Sequence, residues 1–252
     1  MTNILITGAT GGIGSATARR FAESGSTVLL HTFQNVPKAE SIAAEIEKAG
    51  AKVRLLTADF MQPNAADDLY RQALEHVEHV DVLVNAAGAD LMSASVRPLP
   101  FEEKLQLLWH VDVSVPIRLS KKIAEGGKAD DRKRLIVFFS WNGVDYGWRG
   151  ETAQLYGAAK GALQGFSRSF AQTVAPNVRV CCLSLGWVKT RWGDTVANSG
   201  QREAGYAADS LLNRWGTPEE VAEVIRFLAD NKSAFLDASR LYLDGGKTFS
   251  CR

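Results

Sequence analysis

Residues 3–14 read NILITGATGGIG, and this stretch decides the fold. An apolar run, Asn3–Thr7, leads straight into glycines at positions 8, 12 and 14, which open a helix-period segment. Each missing side chain does a separate job. One permits a tight turn, one lets backbone approach a pyrophosphate, and one lets helix pack close to strand. The first-turn N–H groups of that helix, at Gly12, Ile13 and Gly14, then face an anion, favoured by the helix dipole. The spacing is GxxxGxG rather than GxGxxG, and glycine-rich turns also occur without ligands. Context, position and all three glycines favour the binding reading.

Working outward, strand-like runs alternate with helix-period segments along the whole chain. The runs are Asn3–Thr7, Thr27–His31, Lys52–Thr57, Asp81–Val84, Leu135–Phe139, Val178–Leu183 and Leu241–Leu243. Between them lie helical patterns over Gly12–Glu23, Pro37–Ala49, Ala65–Val77, Phe101–Glu125, Leu155–Val174 and Pro218–Ala229. Gly25 and Gly50 punctuate two of these ends. Such alternation implies right-handed βαβ units, hence an α/β, doubly wound, mostly parallel sheet with helices on both faces. The runs ILIT, VLL, VLV and LIVFF are apolar on both alternating sides, as strands covered on both faces require. With no repeat or Pro/Ser-rich linker, residues 1–252 read as one domain. Only about 186–214 lacks a clear period, and a segment of that length is expected to be a substrate loop or lid.

Composition narrows the function classes. Hydrophobic content of 46% and charged content of 23% fit an ordinary globule, and the net charge is +1. The one basic cluster, Asp130-Asp131-Arg132-Lys133-Arg134, mixes signs and reads as a solvated loop, so nucleic acid is not an expected partner. Cys181, Cys182 and Cys251 lack metal-ligand spacing; strand neighbours 181 and 182 point to opposite faces, which argues for a reducing compartment. No apolar stretch approaches the roughly 20 residues of a spanning helix, and no cleavable leader precedes the first strand. The expectation is a soluble, cytoplasmic protein with no membrane partner.

Tyr156-Gly-Ala-Ala-Lys160 places a phenol and an ammonium on one helix face, with Cβ atoms about 5–6 Å apart. A cation there stabilises the phenolate. Moving a phenol from about 10 towards 7 takes about 4 kcal/mol, of which a lysine supplies part and a cationic nicotinamide ring more. A tyrosine so tuned can give or take a proton while hydride moves. Alone, YxxxK matches many exposed helix pairs; behind the glycine loop of a βαβ chain it is specific.

TGATGGIG, then Asn85-Ala86-Ala87-Gly88 after the fourth strand, then Ser140, Tyr156 and Lys160, resemble the short-chain dehydrogenase/reductase family. The likeness runs from Asn3 to Gly246 and includes NVRVCCLSLGWVKT (177–190), GTPEEVAEVIRFLA (216–229) and LDGG (243–246). It implies a seven-stranded Rossmann-type sheet, an NAD(P)(H)-dependent enzyme acting on a small-molecule ketone or alcohol, and a homodimer or homotetramer. By position, Ser140 would hold the substrate oxygen, Tyr156 act as acid/base, and Lys160 grip the ribose and lower the tyrosine pKa. Gly8, Gly12, Ile13, Gly14, Ala86 and Gly88 would line the cofactor, and Asn85 would support the central strand. Asp59 would meet the adenine and Thr190 the carboxamide, unless they are only a turn residue and a helix cap.

Three positions depart from the family pattern. Ser140 lies farther before Tyr156 than usual, which reads as an insertion within 142–153. Leu185 replaces a proline before Gly186. Asp112 stands where the family places an asparagine, and a carboxylate about 6 Å from Lys160 would interact by roughly 3 kcal/mol at an effective dielectric of 20. It would keep the lysine cationic, offset its pull on Tyr156 and favour ketone reduction, unless His110 or Arg118 neutralises it.

Cofactor choice is read at the end of the second strand, where an acid would hold the ribose diol. His31-Thr32-Phe33-Gln34-Asn35 contains none, which leans towards NADP(H) over NAD(H), with Lys38 the nearest cation. Trp141, Tyr146, Trp148, Trp187 and Trp192 gather around the expected mouth. They line either a pocket for a bulky apolar or cyclic ketone or a core or subunit contact. A dehydratase or epimerase on this fold, or a cofactor-sensing binding protein, are the rival readings.

Overall fold

Seven parallel strands carry the molecule: β1 (Asn3–Thr7), β2 (Thr27–Thr32), β3 (Lys52–Thr57), β4 (Val82–Asn85), β5 (Arg134–Trp141), β6 (Val178–Leu185) and β7 (Arg240–Leu243). They form one sheet in the order β3-β2-β1-β4-β5-β6-β7, every pairing parallel. The computed structural model describes residues 2–22, 26–126, 133–190, 207, 210–230, 235–237 and 240–246. Gly25, the 130–132 part of the charged cluster, Trp192, Cys251 and most of the 186–214 loop lie outside them.

The connecting helices are α1 (Gly12–Arg20), α2 (Val36–Lys48), α3 (Ala65–Leu74), α4 (Phe101–Leu108), α5 (Val115–Gly126), α6 (Glu151–Val174) and α7 (Pro218–Ala229). Strand alternation sorts them onto two faces. Ile4 and Ile6 of β1 pack in one core with Ala18 of α1, Ile42 and Ile46 of α2, and Ile225 of α7. Leu5, one residue between them, belongs to the other core with Leu69 of α3, Leu119 of α5 and Leu163 of α6. Cys181 and Cys182 divide the same way, both buried as thiols. The inner strands are covered on both sides, so their side chains are apolar on both, and the sheet is doubly wound.

Chain order reverses between β1 and β4, which lie side by side although β2 and β3 extend from the other edge of β1. In open α/β sheets the crevice at the carboxyl ends of such a pair is where ligands bind. Both the glycine loop after β1 and the Asn85–Gly88 segment after β4 open there.

Several boundaries differ from the sequence expectation. The helix after the loop ends at Arg20 rather than Glu23, and α3 at Leu74 rather than Val77. β5 continues through Ser140 and Trp141, which pair with Ser184 and Leu185 of an extended β6. α6 begins at Glu151, one turn before its first buried apolar residue, Leu155, behind Gly150 at φ 101°. The helix expected over Phe101–Glu125 is not uniform. Residues Trp109–Ser114 form a π-helix between α4 and α5. Pro116 supplies the cause: it lacks the N–H that would bond to the carbonyl four residues back, Asp112, and its ring crowds that carbonyl. By contrast α7 starts as its sequence reads, on a capping box in which Thr217 and Glu220 each bond the other's backbone N–H, with Pro218 in the first turn.

Candidate active site

The glycine loop is shaped by close approach. Gly8 has φ 63°, and a Cβ there would lie 2.6 Å from Ala87 Cα, so both conformation and space require glycine. A Cβ on Gly14 would fall 2.4 Å from the Gly8 carbonyl oxygen, and one on Gly12 would fall 3.0 Å from Thr190 Cγ2. Gly11 gives α1 no side-chain cap, and its first turn carries no acid. A cradle that any Cβ would fill, under an uncapped helix N-terminus, fits the pyrophosphate of a dinucleotide.

His31 supports this loop, a role its position in the sequence did not reveal. The Gly8 N–H donates to its Nδ1 at 3.3 Å, and its Nε2 lies 3.0 Å from the Ala58 carbonyl oxygen. That pairing requires the neutral tautomer with the proton on Nε2. The ring stacks on Phe60 at 4.5 Å, and burial lowers its pKa to about 4 against the opposing bond to Ala58. Its own carbonyl accepts from Ala9. A histidine at the strand end beside a glycine loop was the only available signal.

Across the crevice, α6 brings Tyr156 and Lys160 onto one face, the lysine buried and the tyrosine half-buried. Lys160 Nζ lies 5.2 Å from the Tyr156 ring centroid and 2.9 Å from Asp112 Oδ2. Asp112 is 1% exposed, and its Oδ1 accepts the Ala89 N–H at 2.8 Å. The π-helix thus carries a carboxylate into direct contact with the lysine, closer than the separation expected from sequence. Neither suggested neutraliser reaches it: His110 Nδ1 pairs with the Gln106 carbonyl, and Arg118 bonds Pro63 and Asp67. Burial, the largest single influence, would lower the Lys160 pKa, but Asp112 and Tyr156 together raise it more and the net shift is upward. Burial raises the Tyr156 pKa; Lys160 pulls it down and Asp112 pushes it up, leaving the phenol above its ordinary value.

With this geometry on the page, similarity decides the family. Residues 8–248 match the family model described as Enoyl-(Acyl carrier protein) reductase. Nodulation protein G of Rhizobium sp. (strain N33) is 34% identical over 96% of this chain and 95% of its own length. The chain belongs to the short-chain dehydrogenase/reductase family. It is also similar to the short-chain reductase protein NovJ of Streptomyces niveus, at 31% identity over 96% of this chain and 92% of that one. Among solved structures, L-sorbose reductase from Gluconobacter frateurii complexed with NADPH and L-sorbose superposes with a TM-score of 0.87. Its identity is 25%, covering 99% of this chain and 97% of that one. The protein is accordingly an NAD(P)-dependent oxidoreductase.

The serine is engaged on two sides. Ser140 is 3% exposed; its hydroxyl donates to the Lys160 carbonyl oxygen at 3.2 Å and accepts from Gln164 Nε2 at 2.7 Å. Among the described residues, no hydrogen bond joins it to Tyr156. Next to it, Trp141 tilts against the Tyr156 ring at 5.7 Å, Trp148 stands 6.4 Å from Trp141, and Trp187 6.1 Å from Trp148. Trp187 in turn stacks on buried Trp215 at 5.5 Å. Gly143 exists for this wall, since a Cβ there would lie 2.3 Å from the Trp141 ring. Three polar contacts tie residues 142–145 to β7 and the residue after it. Asn142 Nδ2 donates to Asp244 at 3.2 Å, Tyr242 Oη donates to Asp145 at 2.9 Å, and Arg240 pairs with Asp145.

The remaining positions sit where their strands end. Asn85 Nδ2 donates to the Val137 carbonyl of β5 and to Ser120 Oγ, each at 3.3 Å, bridging neighbouring strands. Ala86 packs at the edge of the core, and a Cβ on Gly88 would lie 3.2 Å from Asp112 Oδ2. Asp59 accepts from the Met61 N–H at 2.9 Å and from Gln62 Nε2 at 3.1 Å, organising its own turn. No helix among the described residues is long and apolar enough to cross a membrane.

Proposed function

We propose that this chain is a reductase that uses NADP(H) to convert a bulky apolar or cyclic ketone into a secondary alcohol. The observation that carries the reading is Tyr156 set between the buried Lys160–Asp112 pair and the Trp141 wall. In this reading Gly8, Gly12, Ile13 and Gly14 hold the pyrophosphate, and Asp59 faces the adenine. Asn85, Ala86 and Gly88 line the crevice floor, Thr190 meets the carboxamide, and Lys160 grips the ribose. The bound nicotinamide supplies hydride.

The chain's own residues handle the oxygen. Tyr156 starts as a neutral phenol and gives its proton from Oη to the substrate oxygen as that oxygen gains charge. Lys160, kept cationic by Asp112, lies close enough to stabilise the phenolate that remains. Asp112 weakens that stabilisation without abolishing it, so proton donation is favoured over proton removal at neutral pH. Ser140 holds the carbonyl oxygen. Trp141, Trp148 and Trp187 offer flat apolar area, which rewards ring substrates over small polar ones.

The lean to NADP(H) rests on the acid-free strand end His31–Asn35, and the L-sorbose reductase neighbour binds NADPH. Fluorescence titration should give tighter binding of NADPH than NADH by about tenfold, about 1.4 kcal/mol. Tighter binding of NADH would refute the preference. A panel of acetone, cyclohexanone and α-tetralone should rank in rising kcat/KM; no reduction of any ketone would overturn the reductase assignment. A cytoplasmic homodimer or homotetramer belongs to the same reading. Phe227 of α7 and Tyr242 of β7, each 51% exposed, offer apolar surface to a second copy, and light scattering tests it.

A further inference from the structure

One part-buried polar contact at the site is not used by the chemistry above. Gln164 lies one helical turn beyond Lys160 on α6, and its Nε2 reaches Ser140 Oγ at 2.7 Å, the shortest bond that hydroxyl makes. A serine hydroxyl owns one proton and two acceptor positions. Here the proton points at the Lys160 carbonyl oxygen, while the Gln164 amide fills an acceptor position. A ketone oxygen brings only lone pairs. To hold one, Ser140 must turn its proton away from Lys160 and towards the substrate.

We propose that Gln164 is a positioning residue that keeps the Ser140 proton free to turn. By donating into Oγ, the amide cannot itself capture that proton, so among the described residues the competitor for it is the Lys160 carbonyl. In an α-helix that carbonyl already accepts the N–H of residue 164, so it gives up the serine proton without being orphaned. Donation into Oγ also polarises the O–H outward, making it the stronger donor. The directional chain therefore runs from Gln164 Nε2 to Ser140 Oγ to the substrate oxygen. An acceptor at position 164 would reverse it and lock the serine proton inward.

This inference rests on Ser140 holding the substrate oxygen, and the variants separate the two. Wild type, Ser140→Ala, Gln164→Leu, Gln164→Glu and the double variant Ser140→Ala/Gln164→Glu are compared with NADPH and the panel ketone reduced fastest. NADPH titration checks that each variant folds and loads cofactor. Gln164→Leu should lower kcat about tenfold at every pH, with KM nearly unchanged. Gln164→Glu should lose about a hundredfold above the carboxyl's titration, because the carboxylate takes the serine proton. It should recover towards wild type as pH falls and the carboxylic acid donates as the amide did. That recovery should vanish in the double variant. Equal, pH-independent losses in Gln164→Leu and Gln164→Glu, or wild-type kcat in both, would overturn the proposal while leaving Ser140 in place. An unchanged Ser140→Ala, or a wild type that reduces no ketone, would instead bring down the reading on which it depends.

Discussion

The two sides of the crevice are built by different means. On the glycine-loop side, β1, α1 and β2 are shaped by missing side chains: Gly8 against Ala87, Gly14 against the Gly8 carbonyl, Gly12 against Thr190. On the tyrosine side, side chains from distant segments do the shaping: Asp112 on Lys160, Gln164 on Ser140, Trp141 on Tyr156. A site made of backbone clearance tolerates no added atom. A site made of charges and hydrogen-bond donors depends on protonation. The first side should therefore fail through sterics and the second through proton chemistry.

The largest expected effect falls on the tyrosine side. Tyr156→Phe keeps the ring against Trp141 but removes the proton, so kcat should fall by about 10²–10⁴ while NADPH affinity holds. Steady-state kinetics with a cofactor titration checks this. Retained turnover would show that Tyr156 is not the proton donor.

The matching break on the other side is Gly8→Ala. It forces a side chain into φ 63° and within 2.6 Å of Ala87 Cα. Strain and overpacking together should cost about 3 kcal/mol in urea unfolding, with cofactor affinity lost alongside. Wild-type stability and NADPH binding in that variant would mean the loop is looser than its contacts imply.

These two sides were not equally legible. TGATGGIG carries its geometry in consecutive residues, so the loop and its position after β1 could be read from sequence. Strand and helix order could be read too, because apolar periodicity is local. Contacts between residues far apart in sequence could not. Nothing in the spacing of Gln164 from Ser140 announces a hydrogen bond, and His31 entered only as the lack of an acid. Asp112 was singled out by residue type, but its 2.9 Å contact depends on a π-turn that helical periodicity averages away. Pro116 was the visible clue to that turn. The later start expected for α6 came from its polar first residues, which tertiary contacts such as Lys104–Glu151 at 2.9 Å hold in helix.

His31 sharpens the contrast, being a titratable group on the side otherwise made of backbone. Its folded pKa of about 4 lies below the ordinary 6.5, so the unfolded chain binds the proton first. Its contribution is complete above about pH 6.5 and is lost as pH falls towards 4. Between pH 7 and pH 5 this amounts to about 2 kcal/mol. Urea unfolding at the two pH values, in wild type and in His31→Gln, should show that difference only in the wild type. Equal pH dependence in both would assign the loss to other groups.

The central claim is that Asp112 offsets the pull of Lys160, adding to burial in keeping the Tyr156 pKa high, and so favours ketone reduction. Asp112→Asn removes the charge while keeping the shape and the bond from Ala89. The decisive measurement is the pH profile of kcat/KM for alcohol oxidation, where the phenolate is the active form. The basic limb should move down by about one pH unit, about 1.4 kcal/mol, with activity retained. A limb that stays where it was, or a collapse of activity at every pH, would contradict the claim.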